Sequence, residues 1–172
     1  MPEPQTIALI STGFVGFITQ YARRHFREVK KALDLTIAGI GIVLVGPAIL
    51  ITAIVIKVVS PGPAFFKQER LGWGGKPFYI YKLRTMRLDA EKGTGAVWAQ
   101  EDDPRLIRFG RLIRKAHIDE LPQLFNVLKG DMSIVGPRPE RPVFVEKLSK
   151  EISDYSKRMN VRPGITGLAQ VW

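Results

Sequence analysis

The sequence contains no cysteine and only two histidines, His25 and His117. No disulfide framework can form, and the Cys/His sets that hold structural zinc are missing. There is no G-x-x-x-x-G-K-[ST] run, no H-E-x-x-H and no self-similar period, which argues against a P-loop, a zincin and a solenoid. Acidic residues are also scarce: 16 Asp and Glu stand against 26 Lys and Arg, a formal net charge of +10. That excess points to a polyanionic partner, and nucleic acid, anionic lipid and phosphorylated substrates all qualify. With 172 residues, 45% of them hydrophobic, the chain has the size and composition of one folded domain.

The hydrophobic residues are unevenly spread. From Leu35 to Ile56 there are 22 consecutive uncharged residues, enough to cross or enter a bilayer. Gly46-Pro47 sits near the middle of that run, and a proline there removes a backbone donor and crowds the preceding turn. The run is therefore predicted to break into two arms of roughly 16 and 14 Å, each about half a hydrocarbon core. Basic residues flank both ends, with Arg23, Arg24, Arg27, Lys30 and Lys31 before it and Lys57, Lys67, Arg70 and Lys76 after it. A spanning helix carries its Lys/Arg excess on one side. Two basic flanks favour a re-entrant helix whose ends share the cytoplasmic interface, with a Pro-kinked spanning helix as the competing arrangement. The earlier apolar stretch, Thr6 to Ile18, is too short to span and reads as an interfacial segment.

After Pro61-Gly62-Pro63, the runs Ala64-Phe65-Phe66 and Phe78-Tyr79-Ile80-Tyr81 flank a glycine-rich turn and read as a β-hairpin. Residues 88–101 read as an exposed loop. Asp103-Pro104 is a helix-start signal, and Leu106, Phe109 and Ile113 would then share one face, with Arg108, Arg111 and Lys115 opposite. A second helix is expected over 119–130, stopped by Gly130, with Asp119 and Glu120 at its N-terminus. Paired acids at a helix start are commonly caps, but Arg114 and Lys115 precede these and the proline-stiffened Gly136-Pro137-Arg138-Pro139-Glu140-Arg141-Pro142 follows the helix. Rigidly held guanidinium groups suit bidentate phosphate binding, and two carboxylates among cations suit a Mg²⁺–phosphate site. Chemistry on a phosphorylated substrate at a membrane is the physical reading.

Several motifs then carry a resemblance over about residues 30–172. They are Phe65-Phe66-Lys67-Gln68-Glu69-Arg70, Tyr81-Lys82-Leu83-Arg84-Thr85-Met86, Asp119-Glu120-Leu121-Pro122-Gln123-Leu124, Gly130-Asp131-Met132-Ser133 leading to Val135-Gly136-Pro137-Arg138-Pro139, and Arg162-Pro163-Gly164-Ile165-Thr166-Gly167. In this order the chain resembles the bacterial monotopic phosphoglycosyl transferases. The resemblance implies transfer of a sugar 1-phosphate from a UDP-sugar to a polyprenyl phosphate with release of UMP, starting exopolysaccharide or other lipid-linked glycan synthesis on the cytoplasmic face of the inner membrane. It implies Asp119 as nucleophile, Glu120 as partner in the dyad with both acids near Mg²⁺, and phosphate contacts from Arg114 and Arg138. Lys82, Arg84 and Arg162 are further candidates for nucleotide or headgroup contact. Gly46-Pro47 matches the membrane break, although many members have serine before the proline. His117 receives no role.

The fold class expected is α+β and mostly helical. It is laid out as an apolar and basic interfacial segment over 1–31, a re-entrant membrane helix over 32–59 and a catalytic domain over 60–172. Family members usually continue beyond Gly167-Leu168-Ala169-Gln170, so a C-terminal truncation is expected. The competing hypothesis is a non-catalytic membrane scaffold binding anionic headgroups through its basic face. Nucleic-acid binding would explain the charge alone and leave the 22-residue run without a purpose. The sugar and the oligomeric state stay open.

Overall fold

A computed structural model describes residues 4–93, 95–98 and 103–168, with side chains from Gln20 onward except Ala22 and Arg23. The expected side-chain setting of Thr6–Ile18 and the chain end after Leu168 lie outside the described residues. The order of elements mixes helix and strand, with the helix α1 (Pro4–Val59) far longer than any other.

α1 is helical throughout its 56 residues, Gly46 and Pro47 included. The helical assignment runs through Gly46-Pro47, so the two arms are joined there without an intervening loop, and residue 31 lies inside the same helix. Proline removes only one intrahelical hydrogen bond, and long helical arms on both sides carry the chain past it. The segment Arg24–Val59 is long and apolar enough to cross a membrane. One seam of it is covered by the rest of the chain: Asp34, Ala38, Ile49, Ala53 and Ile56 are buried, while Val45 packs alongside them. Spacings of three and four keep such residues on one helix face. Around the remaining circumference Ile40, Val43, Leu44, Leu50, Ile54 and Val58 are exposed.

The seam is a wall shared by two small cores. Ile49, Ala53 and Ile56 pack with Ala64, Leu83, Ile107 and Ile113, whereas Ala38 packs with Ile80, Val127 and Met132. Burying each large aliphatic side chain contributes ~1.5–3 kcal/mol. At the helix's end, Arg84 is buried and donates to the carbonyls of Ser60 and Pro61, both at 2.8 Å. At its other arm, Lys30 reaches both Asp34, at 3.1 Å, and the Ser133 hydroxyl, while Asp34 accepts from the Ile134 N–H at 3.1 Å. Lys30 is thus engaged in tertiary contacts rather than left as a solvated member of the basic run.

The expected hairpin is present: β1 (Phe65–Leu71) and β2 (Pro77–Leu83) pair antiparallel, with Phe66 opposite Lys82 and Arg70 opposite Phe78. The outer edge of β2 is closed by a side chain, because fully buried Asn126 accepts from Tyr81 N–H at 3.0 Å and donates to Tyr79 O at 2.7 Å.

The helix expected to start at Asp103 begins later, as α2 (Gly110–Lys115). Asp103 instead accepts from the backbone N–H and guanidinium of Arg105, and residues 105–107 pair with the chain at 85–87 through Arg87 N to Arg105 O and Ile107 N to Thr85 O. With Leu106 N–H bonded back to Asp103 O, these bonds make 103–106 a turn instead of a helix start, so the expected single face does not form: Ile113 is buried but Phe109 is exposed.

A 3₁₀ turn, Ile118–Gln123, leads into α3 (Leu124–Lys129), and Gly130 ends the pair in the left-handed conformation, φ 84°, as expected of a helix stop. The short strands β3 (Ser133–Val135) and β4 (Gly164–Thr166) pair parallel, with α4 (Pro142–Glu151) and a 3₁₀ turn at Tyr155–Asn160 between them. Their backbones meet at two glycines, and a Cβ on Gly164 would lie 2.0 Å from the Gly136 nitrogen.

Candidate active site

The acidic pair owes its presentation to the three-residue period of the turn that carries it. With three residues per turn, Ile118, Leu121 and Leu124 fall on one side, where the first two pack on one core and the third on the other. Asp119 and Glu120 are left on the remaining faces. Just before them His117 adopts a left-handed conformation, φ 54°, which turns the chain sharply between α2 and the 3₁₀ segment. Histidine is among the residues that tolerate that region.

Glu120 is heavily bonded. Its Oε1 accepts from Lys82 Nζ at 2.7 Å and Arg138 Nη2 at 2.6 Å, and its Oε2 accepts from Arg138 Nη1 at 3.2 Å. Burial would push its carboxyl up, but the Arg138 hydrogen bonds and the Lys82 charge outweigh it and hold the group at about 2. Lys82 is itself pushed down by burial, against the pull of Glu120.

Asp119 is treated in the opposite way. It is 7% exposed and is pushed up, first by burial and then by the Glu120 charge, with Lys82 and Arg114 opposing. Among the described residues no other side chain donates a hydrogen bond to it. A more basic carboxylate held by a backbone hydrogen bond and by no side-chain donor keeps an oxygen available for nucleophilic attack. Arg114, close enough to act on Asp119 electrostatically, has a buried Nη1 without a protein acceptor. A buried guanidinium donor beside such a carboxylate suits an anionic oxygen such as phosphate.

The structure therefore brings together Asp119, Glu120, Lys82, Arg138 and Arg114 from the 3₁₀ turn, β2, the Pro137–Pro139 segment and α2. Arg84 stands apart from this group, with its two Nη atoms donating to the carbonyls of Ser60 and Pro61 just after α1. Arg162 lies over the Trp73 ring, 5.9 Å from its centre, rather than at the acids. Two arginines that were not singled out, Arg70 and Arg158, bond the segment that carries Arg138. Only the position of Arg70 within a recognisable motif hinted at it, and nothing local marked Arg158.

No group of three or more His, Cys, Asp or Glu gathers among the described residues, so a cation cage built from protein alone is not formed there. Two adjacent carboxylates are nonetheless the donor set that magnesium accepts when substrate phosphates complete its coordination.

A family model described as bacterial sugar transferase matches residues 25–172. A Bacillus subtilis protein provisionally named an undecaprenyl-phosphate N-acetylgalactosaminyl 1-phosphate transferase is 56% identical over 135 residues, 78% of this chain and 75% of that protein. The UDP-N-acetylgalactosamine-undecaprenyl-phosphate N-acetylgalactosaminephosphotransferase of Aeromonas hydrophila is 52% identical over 83% of this chain and 34% of its own length. The UDP-glucose:undecaprenyl-phosphate glucose-1-phosphate transferase of Caulobacter vibrioides is 51% identical over 83% of this chain and 53% of its own. The last two thus match this chain over about half their length or less.

Proposed function

The chain belongs to the bacterial sugar transferase family, and on that premise we propose that it transfers a sugar 1-phosphate from a UDP-sugar to a polyprenyl phosphate and releases UMP. The observation that carries this reading is the unequal treatment of two neighbouring carboxylates. Glu120 accepts three hydrogen bonds from Lys82 and Arg138 and is strongly acidic, whereas Asp119 is buried, more basic and, among the described residues, without a side-chain donor, beside a buried Arg114 Nη1 that has no protein acceptor there.

In the first step an Asp119 carboxylate oxygen attacks the sugar-bearing phosphorus. The bond from that phosphorus to the oxygen bridging the two phosphates breaks, and UMP leaves with the bonding pair. The product is an acyl phosphate on Asp119. In the second step an oxygen of polyprenyl phosphate attacks the same phosphorus, the acyl–oxygen-to-phosphorus bond breaks, and the carboxylate is restored as the polyprenyl diphosphate sugar departs. Arg114 and Arg138 orient and neutralise the diphosphate, and Lys82 keeps Glu120 ionised. Asp119 and Glu120 would hold Mg²⁺, which when bound neutralises charge on the leaving phosphate.

The setting follows from α1. Ala38 and Ile56, near the two ends of the uncharged run rather than of the helix, pack on the two small cores of the chain that follows, which supports both ends of that run lying on one side of the membrane. The exposed aliphatic side chains of α1, with Phe109 and Leu112, would face lipid. We assign that side to the cytoplasmic face of the bacterial inner membrane, with the helix re-entrant and the basic flanks on anionic headgroups.

The test is reconstitution in lipid with polyprenyl phosphate, Mg²⁺ and a panel of UDP-sugars. The relatives are named for two donors, so the panel includes UDP-N-acetylgalactosamine and UDP-glucose. UMP release dependent on one sugar and lost in Asp119→Asn is the expected result. Release of UDP would indicate ordinary glycosyl transfer, and lipid binding without turnover would favour the scaffold.

A further inference from the structure

Arg138 sits in a segment with neither helix nor strand, Gly136 to Arg141, yet its guanidinium must meet Glu120 with both nitrogens. Prolines at 137 and 139 remove two of the segment's own donors and fix φ at those positions. What remains to be held is the carbonyl side, and from Pro137 to Glu140 each carbonyl has a donor. Pro137 O accepts from Gly164 N–H at 2.9 Å, Arg138 O from Arg158 Nη2 at 2.5 Å, Pro139 O from Arg70 Nη1 at 3.2 Å and Glu140 O from Leu71 N–H at 3.0 Å. Four successive carbonyls are thus bound by donors from β4, the 3₁₀ turn before it and β1.

Two of those donors are side chains, and each is tied down in turn. Arg70 also bonds Glu140 Oε2 at 3.2 Å and Gln68 Oε1 at 2.6 Å, so its planar fork is fixed between β1 and the proline segment. Arg158 stacks on the Tyr155 ring, 4.6 Å from its centre, and bonds the Tyr155 hydroxyl. A guanidinium can serve several acceptors in one plane, which an ammonium cannot do. Neither residue bonds Asp119 or Glu120, and both act one residue away from the Arg138 side chain or on its own carbonyl.

We infer that Arg70 and Arg158 form a two-arginine clamp that positions Arg138, and through it Glu120, for catalysis. This rests on the proposed transferase reading. Arg70 and Arg158 are positioning residues, so their effect on turnover must run through Arg138. A misplacement of about an ångström in a positioning group costs up to about a hundredfold in rate.

The test is a double-mutant cycle in the full chain, in lipid, with UMP release from a saturating UDP-sugar as the readout. Arg70→Lys and Arg158→Lys keep the charge and lose the fork. Each is expected to lower kcat about tenfold in the wild-type background and less than twofold once Arg138→Ala is present. Equal losses in both backgrounds, or no loss in either, would overturn the clamp. A second readout needs no turnover and separates this inference from the reaction itself. The Arg138 guanidinium, whose Nη1 and Nη2 both bond Glu120, should exchange its side-chain N–H protons with solvent faster in both lysine variants than in wild type, followed by ¹⁵N NMR. An unchanged exchange rate overturns the clamp even if the chain is active. Faster exchange in a chain that releases no UMP supports the clamp and overturns the transferase reading.

Discussion

The long helix and the charged cluster bury their residues by opposite means. Along α1 the covered seam is made of small and aliphatic side chains at spacings of three and four, and its chief polar fastening is Lys30–Asp34 against Ser133 and Ile134. In the cluster nearly every group is charged, and each is set by a residue distant in sequence: Lys82 lies 38 residues from Glu120, and Arg138 lies 18. The helix can lose one contact and keep its neighbours. In the cluster the removal of one charge changes the state of the others, because buried ions depend on their partners.

The sharpest break in that contrast is expected at Asp119. Asp119→Asn should lower kcat by about 10⁴-fold or more, as loss of a nucleophile does. The same change should raise stability at neutral pH. The folded chain holds this carboxyl above its ordinary value, so its contribution is fully present below the unfolded value and is lost as pH rises through the folded one. Thermal melts should show the variant gaining at pH 7 and gaining less near pH 4.

Glu120→Gln tests the opposite sign. Its carboxyl is lowered from 4.5 to about 2, so its contribution is present above the unfolded value and fades as pH falls from 4.5 toward 2. The variant should lose ~2–3 kcal/mol at pH 7 by denaturant titration, with the deficit shrinking in acid. Turnover should fall about a hundredfold.

Smaller effects belong to the helix. Asp34→Ala removes the acceptor of Lys30 and of the Ile134 N–H and should cost ~1–2 kcal/mol by urea unfolding. Val43→Ser, at a position 76% exposed, should change folding stability by no more than about 0.5 kcal/mol while weakening retention on vesicles in flotation assays. A large folding defect at Val43 would mean that the outer face of α1 is covered by protein rather than lipid.

The same contrast explains what was legible from sequence. The apolar run, the hairpin and the helix stop at Gly130 follow from local pattern, and all three are where that pattern puts them. At Gly46-Pro47 the local pattern marks a lost backbone donor, and the helical arms on both sides carry the chain through it. Asp103-Pro104 misled because tertiary pairing with 85–87 took the backbone groups a helix would have used. Arg84 and Lys82 are two residues apart in one motif, yet one fastens α1 and the other meets Glu120. Strand alternation would put both on one face, but β2 ends at Leu83, and only the packing reveals which partner each finds.

The most direct measurement is to incubate the chain with Mg²⁺ and UDP-sugar labelled in the β-phosphate, without acceptor, and to map the label by mass spectrometry of proteolytic peptides. The account predicts a sugar-phosphate adduct on the peptide containing Asp119, formed with about one UMP per chain and discharged when polyprenyl phosphate is added. UMP release that requires the acceptor from the outset, with no adduct on Asp119, would contradict it.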